Sequence, residues 1–199
     1  MSKKYSAGLV SQSFWFIEMK KLINLIIEGK SEEEIKRLSI EENLFGAAKE
    51  YRAKRIYGYI RNRSKKLDKH LIELFCNSDL ATQKLINLIT ILRSDRLFFE
   101  FLYEVYREKV ILGAPHINSK DVRIFFNSKE LQSEEIAKWT ENTKKRLSFI
   151  YLNYMTDANL LTSDNGKRKI TLPILDTNLK SYLEDIGDQA MIKAITGVN

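Results

Sequence analysis

Two stretches in the C-terminal half decide the fold: Ser133-Glu134-Glu135-Ile136-Ala137-Lys138-Trp139-Thr140, and, after a long helical segment, Leu160-Leu161-Thr162-Ser163-Asp164-Asn165-Gly166-Lys167-Arg168-Lys169-Ile170-Thr171-Leu172-Pro173. Ser133 is a natural N-cap for a short helix from Glu134 to Lys138. Between the two stretches, Leu147, Ile150, Tyr151 and Tyr154 recur at i, i+3, i+4 and i+7, which predicts a helix from Thr140 to Asp157 with that face buried. Beyond Asn159, the strand-like runs Leu160–Thr162 and Lys169–Leu172 flank Ser163–Gly166. Asn-Gly tolerates positive φ, so a hairpin is expected there, closed by Pro173. Upstream, Ser119 is expected to cap a helix from Lys120 to Lys129. Three helices with a tight middle one, followed by a hairpin, is the order of a winged helix-turn-helix.

Helical periodicity continues outward from this unit. Helices are predicted over 14–27, 32–38, 44–67, 69–76, 79–92 and 95–110. Ser31 with Glu34 reads as a capping box, and Ser78 and Ser94 as further caps. The sixth helix turns Leu97, Phe98, Phe101, Leu102 and Val105 inward. Gly113-Ala114-Pro115 interrupts the pattern. The expected organisation is therefore an all-helical domain over 1–112, carrying a candidate helix-turn-helix, and a winged helix-turn-helix domain over 113–199. The last 25 or so residues read as one or two short helices. The fold class is mainly α: a helical bundle with helix-turn-helix units and a small β-hairpin wing. Ser31-Glu32-Glu33-Glu34-Ile35-Lys36 echoes Ser133-Glu134-Glu135-Ile136-Ala137-Lys138, a match short enough to arise by chance.

A net charge of +7 favours polyanionic partners, and its distribution sharpens that reading. Between Ala47 and Lys69 nine cations face two acids, an excess equal to that of the whole chain. Ala53, Ile56, Ile60 and Leu67 form a narrow apolar stripe there. Arg52, Arg55, Arg61, Arg63, Lys65 and Lys66 are expected to fan around the rest, with Tyr51, Tyr57 and Tyr59 among them. Like charges four apart destabilise a helix slightly, and phosphate neutralisation would compensate. In the C-terminal unit, Lys138, Asn142 and Lys145 face away from the predicted core, where a major-groove helix reaches base edges or phosphates. Lys167, Arg168 and Lys169 stand at the tip of the expected wing. Together these residues are the candidate DNA-binding set.

Signals for catalysis are poor. His70 and His116 lack ligand-like spacing, and no P-loop or dinucleotide fingerprint occurs, so neither cofactor nor metal is expected. Glu34-Ile35-Lys36 has the Glu-x-Lys spacing of some nucleases, but falls in a predicted capped helix rather than on a strand. Glu100, Glu104 and Glu108 share a face with Arg96 and Arg107, which reads as a surface ion-pair row. Cys76, the lone cysteine, reads as a buried thiol compatible with a reducing cytoplasm. The longest early uncharged run, Tyr5 to Ile17, falls short of the roughly 20 apolar residues of a membrane span. The basic start, Met1 to Tyr5, lacks the form of a signal peptide, and a soluble protein is expected.

With these residues in place, the chain resembles the BrxA family of BREX bacteriophage-defence systems from about Tyr5 to Leu183. The resemblance rests on Tyr5-Ser6-Ala7-Gly8-Leu9, on Arg52 to Ile56, and on Leu97-Phe98-Phe99-Glu100-Phe101-Leu102 with Val105. It continues through Trp139 to Leu147 and Asn159-Leu160-Leu161 leading to Pro173. It implies a small DNA-binding accessory protein built on helix-turn-helix units, working with a larger defence complex, and it brings no catalytic residues. Double-stranded DNA and other BREX components are the expected partners, no membrane is, and the absence of a heptad seam favours a monomer. A protein–protein adaptor using Phe98 to Tyr106, or an RNA-binding helical protein, is the alternative.

Overall fold

A computed structural model describes residues 4–164 and 166–197. After a 3-10 turn at Gly8–Ser11, the chain forms α1 (Phe16–Ile27), α2 (Glu32–Ile40), α3 (Glu50–Ser64), α4 (Lys69–Asn77) and α5 (Leu80–Leu92). A long helix follows as α6 (Arg96–Phe101), a π-turn (Leu102–Tyr106) and α7 (Arg107–Ile111). The remainder is β1 (His116–Ile117), α8 (Ser119–Gln132), α9 (Glu134–Ala137), α10 (Glu141–Asp157), β2 (Leu161–Asp164), β3 (Lys167–Ile170), α11 (Thr177–Asp185) and α12 (Gln189–Thr196). The protein is mainly α, with one small antiparallel sheet in the order β1-β3-β2. From α8 to β3 the expected succession of three helices and a hairpin is present.

Capping chemistry sets the helix starts. Ser31 and Glu34 form the expected capping box on α2, and Ser133 caps α9 through the Ile136 amide. Thr140 caps α10 by accepting from the Thr143 amide at 3.2 Å. Elsewhere the cap moves by one residue. Asp79 and Asp95, not Ser78 and Ser94, cap α5 and α6. Asn118, not Ser119, caps α8 in a box with Asp121. Serine and aspartate are comparable caps, so adjacent candidates are indistinguishable by type alone. The third helix begins at Glu50 rather than near Leu44, because the Asn43 side chain bonds both the amide and the carbonyl of Ala47 and holds a loop instead.

The π-turn shifts helical phase by one residue. Leu97, Phe98, Phe101 and Leu102 are buried as expected, but Tyr106 takes the next inward position and Val105 is only half-buried. The Tyr106 hydroxyl donates to the Thr171 carbonyl at 3.2 Å, tying this helix to the segment after β3. Phe98, Phe101, Leu102 and Tyr106 are core residues, so of the stretch Phe98 to Tyr106 only Phe99, Tyr103 and Val105 keep part of their apolar surface exposed.

One cluster of buried side chains runs from Leu9 through Leu71, Ile86 and Tyr106 to Tyr151 and Ile195, on both sides of the turn at 113–115. Gly113 ends α7 at φ 64, its amide bonding the Val110 carbonyl. Cys76 is exposed rather than buried: Leu71, Leu74 and Phe75 occupy the inner face of α4 and turn the next residue outward. No helix among the described residues is long and apolar enough to cross a membrane.

Of the expected surface row, Glu108 is exposed and the Arg96–Glu100 pair is present, but Glu100 is mostly covered and also meets a buried lysine. Lys129 of α8, with a side chain only 3 % exposed, contacts Glu100 and Glu104, each at 2.6 Å. Arg96 bonds Glu100 at 2.6 Å and also covers the Tyr5 ring, whose hydroxyl donates to Glu100 at 3.0 Å. Burial works to raise the Glu100 pKa, but the bonds from Lys129, Arg96 and Tyr5 outweigh it and hold this carboxyl below the usual range.

Candidate nucleic-acid interface

Helix α10 is pinned from one side. Leu147, Tyr151, Tyr154 and Met155 are buried, and the Tyr151 ring meets Phe98, Phe101 and Phe126 at 4.6, 5.5 and 6.3 Å between centroids. Ile150, expected in the same row, is half-buried. With rotation fixed in this way, Asn142, Lys145, Arg146 and Phe149 are all exposed, at i, i+3, i+4 and i+7 on one outward face. That is the spacing a helix lying in the major groove presents to bases. Arg146 and Phe149 were not among the sequence candidates, although extending the Asn142 phase by one turn finds both. The intervening Lys144 is a different kind of cation: it is buried and neutralised by Glu130 and Glu141, whose bonds raise its pKa. Lys138, at the C-cap of α9, is exposed.

The hairpin register pairs Leu161 with Ile170, Thr162 with Lys169, Ser163 with Arg168 and Asp164 with Lys167. Side chains alternate along a strand, so Arg168 points to the face opposite Lys167 and Lys169. Its guanidinium donates to Asn153 Oδ1 at 2.7 Å and Thr156 Oγ1 at 2.9 Å, clamping the hairpin to the C-terminal half of α10. Arg168 therefore positions the hairpin rather than offering its charge at the tip. Lys167 and Lys169 remain exposed on the outer face. The expected Asn-Gly turn is consistent with Gly166 at φ 77, whereas Asn165 lies outside the described residues.

The basic helix α3 divides its cations more sharply. Arg63 is 3 % exposed; it donates to the carbonyls of Phe14 and Ser13, each at 3.0 Å, and to Gln12 Oε1 at 2.8 Å, while lying 5.4 Å from the Trp15 ring centroid. Arg63 thus leaves the DNA-contact set, because its guanidinium is spent on holding the N-terminal segment. Arg61 makes a two-pronged pair with Glu32 of α2 at 2.9 and 2.8 Å, and that bond raises its pKa. Tyr57, expected on the outer fan, is buried. Arg52, Arg55, Lys65 and Lys66 are exposed.

The N-terminal turn brings part of this set together. Ser11 Oγ lies 2.9 Å from the Tyr59 hydroxyl of α3, and Arg146 of α10 donates to the Val10 carbonyl at 3.3 Å. Arg52 and Arg55 precede Tyr59 by seven and four residues, hence share its face. Tyr59 of α3 and Arg146 of α10 thus both bond to this one turn. Lys65 and Lys66 stand apart, beyond the end of α3, beside Arg93, Asp68 and Asp188. A cleft of about 520 Å³ between α8 and α10, lined by Val122, Phe126 and Leu152, borders Asn142 and Lys145.

The candidates for chemistry are dispersed. The Glu34 carboxylate accepts from the Ser31 amide in the capping box, and these bonds lower its pKa. His70 is exposed beside Tyr182. Among the described residues no three metal-ligating side chains converge.

Comparison with known proteins agrees with this architecture. The BrxA family model matches residues 3–187. BREX protein BrxA of Bacillus cereus (strain H3081.97) is 34 % identical over 193 residues, covering 97 % of this chain and 96 % of that protein. An uncharacterized protein from Magnetospirillum magneticum, known from a crystal structure, shares the fold with a TM-score of 0.79 at 16 % identity, covering 98 % of this chain and all of that one. The chain belongs to the BrxA family.

Proposed function

We propose that the chain is a non-enzymatic, cytoplasmic, monomeric accessory protein of a BREX bacteriophage-defence system that binds double-stranded DNA. In this reading α8 to β3 acts as a winged helix-turn-helix. The observation that carries it is the outward face of α10, where Asn142, Lys145 and Arg146 stand exposed with a hairpin clamped to the same helix through Arg168. The α10 face enters the major groove, Lys167 and Lys169 reach the backbone, and Arg52 and Arg55 add phosphate contacts across the N-terminal turn. Affinity comes mainly from phosphates, with base reading limited to Asn142 and its neighbours. Other BREX components would be the protein partners.

The test is a mobility-shift series on a duplex, with structured RNA as competitor at matched salt. Charge reversal by Lys145→Glu with Lys169→Glu should weaken duplex binding at least tenfold, by order of magnitude. Unchanged affinity would remove the assignment, and stronger competition by RNA would favour the RNA-binding alternative. More apolar surface for an adaptor role lies outside Phe98 to Tyr106; Leu112, Ile124 and Leu131 are exposed around α7 and α8. Capture of a BREX component that survives Lys145→Glu/Lys169→Glu and is lost with Ile124→Asp/Leu131→Asp would support it.

A further inference from the structure

The face of α10 carries one side chain that phosphate binding does not explain. Phe149 is 63 % exposed, between Lys145 and Arg146 on one side and the Asn153–Arg168 clamp on the other. Exposure alone would single out nothing, since Leu131 and Ile174 are more exposed. Position does. Phe149 completes the i, i+3, i+4, i+7 set begun by Asn142, whose other members are polar or cationic. On a helix seated in the major groove, those four positions face base edges. The apolar feature displayed there by unmodified DNA is the C5-methyl group of thymine, and phenylalanine is among the side chains that pack against it.

We propose that Phe149 forms a thymine-methyl subsite on the DNA-reading face, so that the protein distinguishes duplexes by the 5-methyl group at the step beneath this ring. The inference rests on the DNA-binding reading above and deepens it. Asn142 and Lys145 hold the N-terminal end of α10 at base edges and phosphates, and the Arg168 clamp places the hairpin beyond Phe149. The ring is thereby confined to the stretch of groove between those two anchors. Thymine beneath it removes both the methyl and part of the ring from water, whereas a pyrimidine lacking the methyl leaves a gap.

The experiment compares an adenine–thymine-rich duplex with the same duplex carrying deoxyuridine in place of every thymine, by anisotropy titration at fixed salt. Wild-type protein is expected to bind the thymine duplex about fourfold more tightly for one well-buried methyl group. Phe149→Ala should bring that ratio to about one, and Phe149→Leu should retain part of it. Lys145→Ala should weaken both duplexes alike and keep the ratio. Equal wild-type affinities for the two duplexes, or a ratio that persists in Phe149→Ala, overturns the subsite while leaving DNA binding standing. Failure of the wild-type protein to bind either duplex overturns the DNA-binding reading itself, and the subsite with it.

Discussion

Helices α3 and α10 each carry more cations than acids, five against one and three against two, and differ in what those cations do. On α3, Arg63 is enclosed by the carbonyls of Ser13 and Phe14, and Arg61 is held by Glu32, so two of its strongest charges are structural. On α10 the structural cation is Lys144, paired with Glu130 and Glu141, while Lys145 and Arg146 next to it face outward. The difference follows from surroundings. Helix α3 sits beside the acidic start of α2 and also receives the N-terminal segment. Near the start of α10, Glu130 and Glu141 are both taken by Lys144. Charge density along a sequence therefore marks a helix as a candidate, and only the tertiary partners separate a charge that folds the protein from one available to a ligand.

That separation can be broken experimentally, most forcefully at Arg63. Arg63→Ala takes the guanidinium donor from the Ser13 carbonyl and Gln12 Oε1 and leaves the Phe14 carbonyl to the Asn87 side chain alone, which should cost about 3 kcal/mol in denaturant unfolding. The fraction still folded should bind DNA with the salt dependence of wild type. A stable Arg63→Ala protein with weakened DNA binding would reverse the assignment.

Lys129→Ala removes the buried partner of Glu100 and should cost about 2 kcal/mol, less than a fully broken buried pair because Arg96 and Tyr5 still bond Glu100 and Glu104 is partly solvated. The same cluster fixes a pH dependence. Glu100 titrates below the usual carboxylate range, so its contribution is complete above its unfolded-state value and is lost as pH falls through the folded one. Burial works to lower the Lys129 pKa, but the bonds to Glu100 and Glu104 prevail and raise it; its contribution is lost only as pH rises through that elevated value. The contribution of this cluster should be flat between these limits and fall in acid, with a shallower acid limb in Glu100→Gln. Identical acid limbs in chemical unfolding would exclude the cluster as the cause.

Arg61→Ala should have the smallest effect. Its partner Glu32 is more than half exposed, and the slight destabilisation should mostly disappear at about 1 M salt. A loss that persists at high salt would mean that Arg61 belongs with Arg63.

Much of the architecture was legible in the sequence because it rests on local chemistry. The Ser31–Glu34 box, the Ser133 and Thr140 helix starts and the 3.6-residue spacing of Leu147, Tyr151 and Tyr154 involve only near neighbours. What was hidden depends on distant ones. Arg63 is buried by residues about 50 positions away, and β1 is two residues long and exists only by pairing with β3. The π-turn exchanges Val105 for Tyr106 without a sequence signal. Two features were readable and missed: a two-residue hairpin turn already puts Arg168 on the opposite face from Lys167 and Lys169, and the Asn142 phase already includes Arg146 and Phe149.

The most direct test of the central claim is the salt dependence of duplex affinity for wild type, Arg52→Ala/Arg55→Ala and Lys145→Ala/Arg146→Ala. Two lost phosphate contacts should each lower the slope of log affinity against log salt by roughly 0.9, giving a drop of about 1.8 in either pair. Slopes unchanged in both pairs would contradict the account, because the exposed cations of α3 and α10 would then play no part in meeting the duplex.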